Sequence, residues 1–170
     1  MVLRQPDLHP APVTLSTVGV SLGHRELHEA DHWILSLDPA PVLACTHLAR
    51  EPFAHVAISL TGSGTYETAP ALSSGASAAL SGQSGRAVIY PGWDKLVGTI
   101  TVGDVVSRSA IDRVEVLGGE PFADSDILDT QDFVRPQFRN GELVLTIVPA
   151  VGGVLRPFEV PNPTPCCAIH

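Results

Sequence analysis

Two adjacent thiols and an imidazole close the chain, at Cys166, Cys167 and His170. Thiolates favour soft or borderline ions, with Cu(I) and Zn(II) the common cases. Upstream, Cys45 and His47 stand two residues apart. On a strand that spacing points both side chains to one side, which suits two metal ligands or a Cys–His nucleophile pair. A third group is His24, His28 and His32, in steps of four. Such steps share one face of a helix and also one face of a strand. His28-Glu-Ala-Asp-His32 is a literal H-E-x-x-H. On a helix its histidines can hold zinc while the glutamate acts as general base.

That pentapeptide resembles the zinc site of the zincin metalloproteases. The likeness covers five residues and departs at Asp31, where the family's buried helix carries no charge. The flanking residues also read as strands rather than as one long helix. The local reading is therefore a solvated, histidine-rich turn, with Trp33, Leu35 and Leu37 facing the core. Cys166-Cys167-Ala168 is similar to the C-terminal cysteine pair of mercuric reductases, over three residues. What that likeness implies is metal handling by the pair. A bond between adjacent cysteines, with Cα atoms about 3.8 Å apart, is strained. Cys167–His170 also fits the C-a-a-X prenylation pattern, with an atypical last residue. Cys45 reads first as a buried apolar residue. Asp124, Asp126, Asp129 and Asp132 lack the spacing of a calcium loop and read as a solvated acidic turn.

The elements that position these groups follow a period of two. Strands are expected over 13–20, 32–37, 42–48, 53–60, 86–90, 96–106, 109–117, 132–138, 142–149 and 154–160. Asn140-Gly141 supplies the positive φ angles of a tight hairpin turn, and a second hairpin is expected across Gly152-Gly153. A four-residue turn over 49–52 sets Thr46 opposite His55, which aims His55 away from Cys45 and His47; a shift of one residue brings it round. Residues 61–84 are small and polar and read as a mobile loop, with a short helix over 76–80. Pro161, Pro163 and Pro165 favour an extended arm, and Val160 to Cys166 spans roughly 19 Å at about 3.1 Å per residue. The expected fold is all-β: a single-domain antiparallel β-sandwich or barrel of about eight to ten strands, with body 1–160 and arm 161–170.

Composition narrows the function classes. A chain of 170 residues buries about 70% of its unfolded surface and can build a core without disulfides. The net charge of −8, with nine arginines and one lysine, disfavours nucleic acid, because phosphates need a cation supply. No basic run or apolar span points to a membrane. Three cysteines and no secretory signal point to the cytoplasm. A charged fraction of only 16% suits a homo-oligomer whose subunits cover one another.

The leading expectation is a cytoplasmic β-protein with a soft-metal or thiol site. Its ligands would be Cys166, Cys167 and His170 with Cys45 and His47, or with a face made by His24, His28 and His32, and zinc or copper is the metal they imply. One alternative is a non-enzymatic interaction module in a homo-oligomer. The other is a cofactor-free barrel enzyme that takes a small apolar molecule, with 61–84 as its lid and an Asp or His as acid/base.

Overall fold

The computed structural model describes residues 14–82 and 84–161. Ten strands and three α-helices run in the order β1 (Ser16–His24), α1 (Leu27–Leu35), β2 (Leu43–Ala49), β3 (His55–Gly62), α2 (Ser73–Ser81), β4 (Arg86–Ile89), β5 (Thr99–Thr101), α3 (Val102–Arg108), β6 (Arg113–Val116), β7 (Ile127–Asp129), β8 (Gln137–Arg139), β9 (Glu142–Pro149) and β10 (Leu155–Pro157). The strands form one open sheet in the order β1-β3-β2-β4-β8-β9-β10-β7-β5, with β6 added to β9. Two pairings are parallel, β10–β7 and β6–β9. The fold is mixed α/β. It is not the all-β sandwich or barrel that the period of two suggested, and the sheet does not close. No helix among the described residues is long and apolar enough to cross a membrane.

Three segments overturn the all-β expectation, each for a local reason. The strand expected over 32–37 is instead the end of α1. Glu26 and Glu29 form a capping box at the helix start, and Ala30 and Ile34 are buried one turn apart. The alternation of Trp33, Leu35 and Leu37 is coincidental: Trp33 and Leu37 pack against the core while Leu35 is exposed. The strand expected over 96–106 is short and gives way to α3, which opens with a second capping box between Thr101 and Asp104. Within the supposed mobile loop 61–84 lies α2, packed against β1, β2 and β3. Its small residues let helix and sheet approach closely. A methyl group added to Gly19 of β1 would stand 1.9 Å from the Ala76 carbonyl oxygen.

Turn chemistry was legible where glycine sets the backbone. Asn140 (φ 52°) and Gly141 (φ 84°) join β8 to β9 with Arg139 opposite Glu142. β9 and β10 pair across Gly152 and Gly153 as expected. The β2–β3 register differs from the expected one by three residues: Thr46 lies opposite Ile58 and Ala49 opposite His55, with residues 50–54 connecting the strands. An odd shift turns His55 to the other face, as a shift of one would. Cys45, His47, His55 and Ser59 therefore share one face of the sheet. α2 covers that face; α1 covers the other, against Ala44, Val56, Ile58 and Leu60.

An ion network ties the middle of this sheet and the chain beyond β10 to α1. The Asp31 carboxylate takes two hydrogen bonds from the Arg86 guanidinium of β4, at 2.7 and 2.9 Å. A third comes from Arg135 Nε at 3.0 Å. Arg86 Nε also donates to both oxygens of Glu159, beyond β10, at 2.7 and 2.8 Å. Arg135 lies 4.2 Å above the Phe133 ring. Burial works to lower the Arg86 pKa, but the two carboxylates outweigh it and hold the group above its ordinary value. The charges are balanced two to two. Asp31→Ala would leave two buried arginines short of a partner, so we expect a loss of about 3–5 kcal/mol in urea unfolding. A loss below about 1 kcal/mol would show that the network is not a main support.

Candidate functional site

A cleft of about 460 Å³ opens beside the end of β2. Its walls are Leu27 of α1, Leu48 and Ala49 of β2, Ala78 and Ala79 of α2, Phe138 of β8, and the backbone around Gly82, Ser84 and Gly85. His47 and Arg86 are its charged or titratable lining residues. Arg86 is already matched by Asp31 and Glu159, which leaves the His47 imidazole and the Gln137 amide as the other nitrogen-bearing side chains of the lining.

His47 is held from several sides. Its Nε2 lies 2.8 Å from the Ser59 hydroxyl, a contact made by the β2–β3 register. Gly82 and Gly85 come so close to the ring that a methyl on Gly85 would sit 2.8 Å from Cε1. Burial pushes the His47 pKa below its ordinary value, and the Ser84 backbone offsets this only in part. The ring is therefore neutral near pH 7, able to accept a proton. Ser59 was not a candidate in the sequence. Its nearest sequence signal is the even separation of 47 and 59, which means nothing until the strand register is known.

Cys45 lies on the same face, as its spacing from His47 implied, but is buried. Burial pushes its thiol up to about 12, against a smaller opposite effect of the Ser59 hydroxyl. It is a protonated thiol in the core, and a Cys–His thiolate pair is not formed. His55 is buried beneath α2, with Nδ1 2.8 Å from the Phe53 carbonyl oxygen and Nε2 packed against Gly75.

The remaining candidates lie elsewhere. His28 and His32 are exposed on α1, and with half-buried His24 they line a shallow concavity of about 610 Å³. The H-E-x-x-H segment is helical after all. However, Glu29 accepts hydrogen bonds from the Arg25 and Glu26 backbone at 2.8 and 3.2 Å, and Asp31 is committed to the ion network. Among the described residues, no three His, Cys, Asp or Glu side chains converge on a point that could hold a metal. The acidic turn is tied up locally: Asp126 accepts from the Ala123 N–H, Asp129 from Gln131 and Asp132 from Gly98. Cys166, Cys167 and His170 lie outside the described residues. Comparison with protein-family models, curated proteins and solved structures finds no match to this chain.

Histidines kept neutral by burial make stability fall with acid. His47 and His24 are both lowered in the fold, so below about pH 6.5 the unfolded chain binds more protons than the native one. Their contribution is complete above about 6.5 and is lost as pH falls towards the folded values. Urea midpoints should therefore rise between about pH 5 and 7, and His47→Gln should flatten that rise. An unchanged slope in the variant would contradict this account.

Proposed function

We propose that the cleft beside β2 binds a small, uncharged, largely apolar molecule, with His47 as its hydrogen-bonding and proton-accepting group. The observation that carries this reading is a neutral imidazole set in a mostly apolar wall, with Thr46, Ser84 and Gln137 as its uncharged polar residues and its one arginine internally paired. Such a wall selects for apolar area, and the imidazole supplies direction. The net charge of −8 argues in the same direction, against anionic ligands. This keeps the small-apolar-molecule alternative but without a barrel. α2, within the segment expected to be a lid, serves as a packed wall.

A panel of neutral, small apolar compounds carrying one hydrogen-bond donor or acceptor should raise the melting temperature, since a ligand of the native state stabilises it by mass action. His47→Gln should abolish the effect of the best compound. A shift that survives the substitution would place the ligand elsewhere.

One observation favours a second reading, the soft-metal or thiol site. Glu159 is bound to Arg86 on the cleft wall, and Pro161 is the last described residue. Cys166 is only five residues further along the sequence, so its thiol is within chain reach of His47. On this reading, protein purified without a histidine tag carries near-stoichiometric zinc or copper, and Cys166→Ser/Cys167→Ser loses it. Metal-free protein with freely titrating thiols removes the reading.

A further inference from the structure

We propose that His28 and His32 of α1 form a two-imidazole chelate for a divalent transition ion, copper(II) or zinc(II), at the shallow concavity beside β1. That concavity shares no lining residue with the cleft beside β2, so the chelate stands or falls independently of what the cleft binds.

The spacing acts because the segment is helical. Both residues lie within α1, and positions four apart on a helix share one face with Cβ atoms about 5–6 Å apart. Two imidazoles at that spacing can close on a single ion. Both side chains are exposed and both line the concavity. His47 and His55, by contrast, are bonded to the Ser59 hydroxyl and the Phe53 carbonyl oxygen. Glu29 lies on the same lining, and its charge together with the net charge of −8 favours a cation there. Its carboxylate is held by the Arg25 and Glu26 N–H groups, so the pair binds an ion without a general base beside it. His24 lines the concavity too, but its Nδ1 is buried without a partner among the described residues, and it does not converge with the other two. The site is therefore a two-point one, with water in the remaining positions of the ion.

Such a bridge has a consequence for the fold. An ion that spans one turn binds the helical form of α1 better than the unfolded segment, where the two imidazoles separate, and so stabilises the native state by mass action. The same helix carries Asp31, the acid that meets Arg86 and Arg135, and Leu27 of the cleft wall. Metal at this pair holds the helix that anchors the ion network. Copper(II) should bind more tightly than zinc(II), in the ordinary order for nitrogen ligands.

Full-length protein without a histidine tag, carrying Cys166→Ser and Cys167→Ser, keeps the pair and removes the competing C-terminal thiols. Calorimetric titration with copper(II) should show one ion per chain at its tightest site. The ion should raise the melting temperature and quench the fluorescence of Trp33, which lines the same concavity. His28→Ala and His32→Ala should each weaken binding on the order of a hundredfold, because each removes the second contact of a chelate. The electron paramagnetic resonance spectrum of bound copper(II) should change from two nitrogen ligands in the parent to one in either variant. Both positions are exposed, so the variants keep the fold, and their metal-free melting temperatures check this. Three results overturn the chelate: no binding by the parent, binding that survives both substitutions, or a loss in each variant of only one of two independent, equally weak sites. None of them bears on the compounds that occupy the cleft beside β2.

Discussion

The carboxylate of Asp31 is the point at which most of the sheet meets. It receives hydrogen bonds from Arg86 of β4 and from Arg135 ahead of β8, and Arg86 carries Glu159 from the end of β10. Helix α1, the middle of the sheet and the chain beyond its last strand are thus joined by four groups distant in sequence. Desolvating four charges is costly, and the geometry must be good to offset it. Here the carboxylate faces two guanidinium groups, and the fork of Arg86 engages both acids. The net stabilisation of such a network is smaller than its contact distances suggest, but its directional demands are strict. It sets where α1 lies, and hence where the cleft wall at Leu27 stands.

On the opposite face, the governing constraint is close approach. Apart from exposed Leu80, α2 is built from serine, alanine and glycine, because the sheet beneath it leaves no room for more. Gly19 meets the Ala76 carbonyl, Gly75 meets the His55 ring and Gly85 meets His47 and Cys45. A helix that packs this tightly gains dispersion contacts from backbone atoms where it lacks large side chains. The same tightness excludes water from one side of His47, which depresses its pKa and fixes its ring. Packing and the electronic state of the imidazole are therefore one effect.

Some of this was visible in the residue order. The Asn140-Gly141 turn and the limits of β9 could be placed from glycine chemistry and strict alternation, because both depend only on neighbours in sequence. Cys45 was recognisable as a core residue and shares a face with His47, as their spacing requires. The short helix expected over 76–80 lies within α2, while α1 and α3 were missed for an equally physical reason. α1 and α3 are nine and seven residues long, so each shows barely two turns of period, and a short apolar alternation imitates it. Their capping boxes were the better signal, at Glu26/Glu29 and at Thr101/Asp104. The glutamate of H-E-x-x-H caps a helix and its aspartate anchors the ion network, so both acids of the motif serve the fold.

What the sequence determined by itself was local: the backbone of the glycine turns, the parity of residues along a strand and the acidic balance of charge. The tertiary structure decided which strand faces meet. The β2–β3 connection runs over 50–54 and not 49–52, and the resulting shift of three residues, being odd, turns a whole strand over. That shift places Ser59 against His47 and brings His55 under α2. Likewise, whether Arg86 is free to bind a ligand depends on Asp31 and Glu159, residues 55 and 73 positions away. Pairings at such separations are set by the packing of the whole sheet, because no local energy distinguishes one register or one ion partner from another.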